Sequence, residues 1–351
     1  MQPSPETERR LARIGWRAGA WPDELPERGE IARVVAQHRA GYELHDGAHA
    51  FNAQPAARFL RRGLEPTARP AVGDFVVFRP GAPPTIEWIL PRHGELKRGA
   101  AGDAPQRQLI ATNIDVVLVL CGLDGDFNPA RIERYLVLIE GSGAQAVVVL
   151  TKADLAADPQ SAVVELRARL PAGVPVLAVN AKSAEAIAPL LDWLGAGRTG
   201  VLVGSSGAGK STLTNTLLGE TRQATAAVRS HDSRGRHTTT HRALLELPGG
   251  GCLIDTPGMR ELKLTGDEVL DAAQFADIDA LAQSCRFGDC AHGSEPGCAV
   301  QAALAEGELD PARWRNYQKL RGELGDAADA LEAQLRRRRG KPVLRHGPRE
   351  E

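Results

Sequence analysis

The order of three short motifs constrains this chain more than any other feature. Gly204-Ser205-Ser206-Gly207-Ala208-Gly209-Lys210-Ser211-Thr212 fits G-x-x-x-x-G-K-[ST], the phosphate-cradling loop that joins a strand to a helix. Residues 199–203 read as a short buried strand, and 211–218 as a helix with apolar residues at 213, 217 and 218. Thr151-Lys152-Ala153-Asp154 lies upstream, closing the apolar run 146–150. Asp255-Thr256-Pro257-Gly258 lies downstream, closing the apolar run 251–254. In an ordinary GTPase a T/N-K-x-D element follows the phosphate loop; here it precedes it.

Each motif carries chemistry. Gly204, Gly207 and Gly209 let backbone N–H groups turn inward around phosphates. Lys210 is placed to reach the β- and γ-phosphates, and the Ser211 hydroxyl to bind Mg²⁺. Asp255 at a strand end can hold Mg²⁺ through a water, and Gly258 can sense the γ-phosphate. The Asp154 carboxylate can accept two hydrogen bonds from the guanine N1–H and exocyclic amine, a pair that adenine does not offer. Asn180-Ala181-Lys182 follows the strand-like stretch 174–179 and fits a loop whose backbone reads the guanine O6. Between the phosphate loop and Asp255 lies Arg234-Gly235-Arg236-His237-Thr238-Thr239-Thr240. A threonine there can complete the Mg²⁺ shell when GTP is bound; Thr240 is the first choice and Thr239 the next. The alternative for this stretch is a solvated basic loop.

With base-reading loops first, phosphate loop second and switches last, the sequence resembles the circularly permuted GTPases. More narrowly, it resembles the family of bacterial ribosome small-subunit-dependent GTPase A. The words that carry the resemblance are 122–129 (Gly122 to Pro129), 151–154, 204–212, 235–240 and 253–261, within a likeness running from about residue 28 to about 325. It implies a circularly permuted P-loop α/β core with a mostly parallel sheet, an N-terminal OB-fold barrel and a C-terminal helical zinc-binding domain. It also implies a target, the small (30S) ribosomal subunit and its 16S rRNA late in maturation. Thr151 departs from the family's usual Asn.

Cys285, Cys290, His292 and Cys298 fall within fourteen residues, as C-x4-C-x-H-x5-C. Three thiolates and an imidazole suit a closed tetrahedral Zn²⁺ site, structural because no position stays open. Unrelated core cysteines are the alternative. The resemblance implies the same four ligands. Cys121 and Cys252 lie in apolar stretches and read as core residues.

The chain has 351 residues, enough for two or three domains, and 42% apolar residues, enough for real cores. Its net charge of −1 gives no overall sign of nucleic-acid binding. The distribution does: residues 311–349 hold eleven Lys/Arg against four Asp/Glu, including Arg336, Arg337, Arg338 and Arg339. Such a run either grips phosphates or is a solvated end. Residues 1–27 lack an apolar secretory core, and no apolar run approaches about 18 residues, so a cytoplasmic location is expected.

The expected organisation is a polar lead over 1–27, a barrel over 28–92, a linker over 93–108, a GTPase core over 109–265, a zinc domain over 266–330 and a basic, disordered tail over 331–351. Stretches 31–35, 42–44, 74–79 and 85–90 read as the barrel's short strands. Arg58, Arg61, Arg62 and Arg69 between them are placed to meet RNA backbone, while aromatic residues look too few for a stacking platform. No interface stripe stands out, and a monomer is expected.

The reaction expected is attack of water on the γ-phosphate of GTP. Met259 stands where many GTPases carry the Gln that orients the water. His237 is the internal candidate for that task, with Lys210 and Thr240 as its catalytic companions; a solvated loop histidine is the alternative. Two competing readings are an RNA-binding module with a relict nucleotide site, opposed by intact Lys210, Ser211 and Asp255, and a P-loop ATPase or small-molecule kinase, opposed by Asp154 and the threonine-rich stretch 238–240.

Overall fold

The structure, a computed structural model, describes residues 5–17, 29–99, 107–219, 242–256, 263–268, 270 and 273–339. Apolar runs too short for helices set its centre. β8 (Val116–Gly122), β9 (Gln145–Thr151), β10 (Val176–Ala178) and β11 (Thr199–Gly204) are parallel strands, and β8 is buried at every position. Full burial on both faces is what a parallel sheet demands, and it explains their near-continuous Val and Leu. β13 (Cys252–Asp255) adds parallel to β11, and β12 (Ala243–Glu246) adds antiparallel to β13. The spatial order is β10-β9-β8-β11-β13-β12. The strand bearing the phosphate loop is therefore central in space but fourth of the six in the chain.

Successive residues of these strands feed two cores. Val117, Val119, Val148, Leu150, Val201 and Val203 face one side, with α2 (Pro129–Glu140) and α3 (Pro159–Arg169). Leu118, Leu120, Val147, Val149 and Leu202 face the other, with the short α4 (Ala184–Ile187) and α5 (Lys210–Leu218). α6 (Ala276–Gln283), α7 (Ala299–Glu306) and α8 (Pro311–Arg339) join the first core through Phe275, Ile278, Val300, Trp314 and Leu320. Glu133 of α2, fully buried, fastens them: it accepts from Arg313 Nη1 at 2.8 Å, Asn316 Nδ2 at 2.5 Å and Arg169 Nε at 3.2 Å.

The N-terminal part closes on itself. β1 (Glu30–His38), β2 (Gly41–His45), β3 (Ala50–Pro55), β5 (Thr85–Ile89) and β4 (Phe75–Arg79) pair in that order, and β4 returns to β1. This is the five-stranded OB barrel, filled by Val34, Leu44, Phe59, Val76, Phe78 and Ile86. β1 also pairs with β12 at Ala36 and Ala243, so barrel and core share one continuous sheet. Arg33 welds the junction. Its buried guanidinium donates to the carbonyls of Ile14 at 2.5 Å, Gly73 at 3.0 Å and Asn113 at 3.0 Å, and to Thr199 Oγ1 at 2.8 Å. Burial draws its pKa down to about 10, where it is still charged at neutral pH.

Three stretches differ from the sequence reading. The polar lead contains α1 (Pro5–Arg13), and Leu11, Ile14 and Trp16 seal the barrel's outer face against Phe75, Val77 and Leu90. The stretch 93–108 holds β6 (Glu95–Gly99), paired with β7 (Arg107–Thr112), because Leu96 finds a place in the core. The basic run through Arg339 continues α8 rather than leaving it, since 326–336 are almost all good helix formers; residues 340–351 lie outside those described.

Candidate functional site

The loops singled out in the sequence gather at the carboxyl ends of β9, β10, β11 and β13, where open α/β sheets bind ligands. Between β11 and α5 the chain runs through Gly204, Gly207 and Gly209 at φ of 148°, 84° and 90°. The first is obligatory on a second ground: a Cβ on Gly204 would lie 2.4 Å from the Leu120 carbonyl oxygen. Lys210 opens α5 and folds back, its Nζ donating to the carbonyls of Gly204 at 2.7 Å and Ser205 at 2.5 Å. Burial lowers its pKa, opposed by the charges of Asp255 and Asp126. An ammonium held over loop carbonyls is poised to exchange them for phosphate oxygens. Ser211 follows it and is exposed; Ser206 is exposed, and Thr212 and Asp255 are half-buried. Thr256 Oγ1 donates to the Leu202 carbonyl at 2.9 Å, fixing the end of β13 beside the phosphate loop.

The base-reading loop is tied to that loop directly. Thr151, fully buried, donates from Oγ1 to the Ala208 carbonyl at 2.7 Å. Threonine in the place of the family's Asn thus makes the tether with a hydroxyl. Lys152 adopts a left-handed backbone, φ 60°, which turns the chain so that Ala153 N donates to the Val179 carbonyl at 3.2 Å. Asp154 is exposed at the rim. Asn180 Oδ1 accepts from Lys182 N at 3.0 Å, and the Ala181 carbonyl accepts from Thr216 Oγ1 of α5 at 2.7 Å. The segments that the sequence marks as base-reading and phosphate-binding therefore form one hydrogen-bonded unit.

The loop after β8, quoted above as 122–129, receives no role in the sequence reading, yet it braces both sides. Asp124 pairs with Lys152, and Asp126 accepts from Ser205 Oγ and from Arg131 Nη1, the latter at 2.5 Å. Burial works against ionisation of Asp126, but these two donors hold its pKa below the ordinary value. Two aspartates spaced by one glycine ahead of an Asn-Pro helix start are the only local signal. Asn128 caps α2 by accepting from Arg131 N at 3.0 Å.

His237, Thr238, Thr239, Thr240, Gly258 and Met259 lie outside the described residues.

A second cluster sits between α6 and α7. Sulfur and nitrogen atoms of Cys285, Cys290, His292 and Cys298 lie within 4.8 Å of one another. Cys285 Sγ is 3.4 Å and Cys298 Sγ 3.6 Å from His292 Nδ1, and the two sulfurs are 3.9 Å apart. A tetrahedron with Zn–S about 2.3 Å and Zn–N about 2.0 Å has edges of about 3.5–3.8 Å, so the donor set fits zinc. His292 needs φ 59° to turn inward; Glu295 steadies the loop by accepting from Ala291 N and Gly293 N, and Gln301 Nε2 donates to the His292 carbonyl at 2.7 Å. Trp314 and the His292 imidazole pack edge to face, with ring centres 5.8 Å apart.

A profile described as the RsgA GTPase family matches residues 89–265. The chain is 55% identical over 319 residues to the small ribosomal subunit biogenesis GTPase RsgA of Xanthomonas axonopodis pv. citri, covering 90% of this chain and 86% of that one. Its likeness to the protein of the same name from Xanthomonas euvesicatoria pv. vesicatoria is 52% over 345 residues, 94% and 93% of the two chains. Among solved structures it is similar to YjeQ from Thermotoga maritima, with TM-score 0.58 and 26% identity over 85% of this chain and 99% of that one. It is also similar to YloQ, described as a circularly permuted GTPase, with TM-score 0.55 and 25% identity over 87% and 98%.

Proposed function

The chain belongs to the RsgA GTPase family, it is a GTPase of small-subunit (30S) biogenesis, and on that premise we propose how its residues carry out the cycle. Asp154, with the backbone of Asn180-Ala181-Lys182, selects guanine. The backbone of Gly204 to Gly209 cradles the phosphates, and Lys210 leaves the Gly204 and Ser205 carbonyls to meet the β- and γ-phosphate oxygens. Ser211, Asp255 and Thr240 offer the hard oxygen donors that Mg²⁺ prefers; when bound, the ion neutralises charge on the β- and γ-phosphates. Water attacks the γ-phosphorus, the bond to the bridging oxygen breaks, and GDP and phosphate leave. His237 orients the water in place of the Gln that Met259 replaces. With Met259 in the place of that Gln, turnover is slow until the small subunit stimulates it.

The barrel and the zinc unit flank the core and contact 16S rRNA, Arg58, Arg61, Arg62 and Arg69 meeting backbone phosphates. Zn²⁺ held by Cys285, Cys290, His292 and Cys298 supplies rigidity to the 285–298 loop. The protein acts as a cytoplasmic monomer late in subunit maturation, and hydrolysis drives its release. The observation that carries this reading is the pair of bonds Thr151–Ala208 and Ala153–Val179, which make one nucleotide site from segments in rotated order.

The test is GTP hydrolysis by the purified chain alone and with small subunits, large subunits or free RNA. Stimulation by small subunits only is the expected result. Equal, slow hydrolysis in every mixture would remove the subunit as activator.

A further inference from the structure

The barrel carries an irregularity at one place where an aromatic side chain faces water. Along β4 and β5, Phe78 pairs with Ile86 but Val77 pairs with Trp88, so Glu87 is an extra residue, a β-bulge. Phe78 and Ile86 belong to the barrel interior, and Val77 to the outer layer under α1. In unbroken register Glu87 would oppose Val77 and Trp88 would turn into the barrel. The bulge reverses this and leaves Trp88 50% exposed. Bulges recur where a strand must re-aim a side chain.

The indole is not bare on both faces. The Arg58 guanidinium stacks over it, 4.6 Å from the ring centre, and lies 5.0 Å from the centre of Phe59. Arg58 Nε is buried with no hydrogen-bond partner. Leu60, 64% exposed, and the exposed Arg61 and Arg62 continue the same turn. No ion pair engages Arg58, Arg61 or Arg62 among the described residues, while the nearby Glu87 is taken up by Arg79 at 3.0 Å. An exposed ring, an arginine over its face, and two further cations with no ion pair among the described residues make a surface complementary to a flat, uncharged ring on a phosphate chain.

The geometry points to Trp88 and Arg58 as a stacking site for one unpaired nucleobase of single-stranded RNA, with Arg61 and Arg62 gripping its flanking phosphates. This deepens the reading of the barrel as an rRNA-binding unit and rests on it. The site is built on β5 and the turn after β3, off the β2–β3 face through which OB barrels commonly take strands. One re-aimed indole suffices for one base, even where aromatic residues are few.

The test uses the full chain and a short single-stranded RNA containing 2-aminopurine. Stacking on the indole should quench the fluorophore. Trp88→Ala should weaken binding about 5- to 150-fold and abolish the quench, with the salt dependence of affinity unchanged. Trp88→Phe should restore most of the affinity. Arg61→Ala with Arg62→Ala should instead flatten the salt dependence. In the unaltered protein, an oligonucleotide lacking bases should lose affinity as Trp88→Ala does, so the test does not hinge on one variant's folding. Equal affinity and equal quench for Trp88→Ala would overturn the site. So would normal RNA binding by Trp88→Ala with lost sedimentation on small subunits, which would assign the patch to a ribosomal protein. If the unaltered chain fails to sediment with small subunits, the broader reading fails, whatever Trp88 does.

Discussion

Thr151 and Ala208 lie 57 positions apart in the chain and share a 2.7 Å hydrogen bond, from the threonine hydroxyl to the alanine carbonyl. The bond is buried and joins the loop after β9 to the loop after β11, the two halves of the proposed nucleotide site. Thr151→Val keeps the shape, removes the donor and strands a carbonyl. The expected cost is about 1–2 kcal/mol of stability and about tenfold weaker binding of a fluorescent GDP analogue. Thr151→Asn, whose amide can donate to the same carbonyl, should retain most of the affinity. Equal binding by the Val variant would show that the tether carries no weight.

Asp154 is exposed at the rim of the site, and in its proposed role it accepts two hydrogen bonds from guanine. Asp154→Asn turns one acceptor into a donor. GTP affinity should fall about 100-fold, from the loss of two charge-assisted hydrogen bonds, and xanthosine triphosphate, with an oxygen in place of the amine, should gain. Competition between the two nucleotides measures the exchange; an unchanged ratio would place guanine recognition elsewhere.

Asp126 and Ser205 should behave as a coupled pair. Each alanine substitution is expected to weaken GTP binding several-fold, and the double variant to add little, with a coupling of about 1 kcal/mol. The pKa of Asp126 is depressed, so its contribution is complete above the ordinary carboxylate value of 3.8 and is lost as pH falls through the lowered one. The coupling should therefore be constant across neutral pH. Strict additivity in the double-mutant cycle would dismiss the brace.

Glu133 is fully buried between Arg313, Asn316 and Arg169. Glu133→Ala should cost about 3 kcal/mol, the low end for a broken buried pair, because Asp277 still faces Arg313 at 2.6 Å. Urea unfolding reads the loss. A change below about 0.5 kcal/mol would mean that helix packing alone holds α8 to α2.

Zinc should be present at one per chain and should disappear in Cys298→Ser. The 285–298 loop should then become sensitive to protease, while GDP binding at the phosphate loop persists. A metal-free protein with a protease-resistant loop would make the cluster a set of ordinary thiols.

What could be read in advance was chemistry confined to short stretches. The phosphate loop needs glycines at fixed spacing, and the four donors from Cys285 to Cys298 are near neighbours, so both are visible in the residues. Features made by long-range pairing were not. α1 offers few apolar positions, and Leu11, Ile14 and Trp16 become core only because the barrel presents Phe75, Val77 and Leu90 to them. β3 mixes Ala, Phe, Asn, Gln and Pro with little alternation and is a strand by virtue of β2 and β5. One partner of Asp126, Ser205, is 79 residues away. The outward turn of Trp88 depends on a register shift that no run of residues within β5 announces.

The position of β11 fixes a timetable for the nascent chain. Synthesis from the N-terminus delivers all five barrel strands by Ile89, then β8, β9 and β10, and only afterwards the strand that β8 needs on its other side. Domains form in the order they are made. A growing chain thus owns its barrel well before it owns its phosphate loop, whereas a GTPase that begins with its phosphate loop matures the other way round. Until Thr199–Gly204 is made, β8 presents a bare apolar edge, and that interval is when mispairing with another half-made chain is most costly.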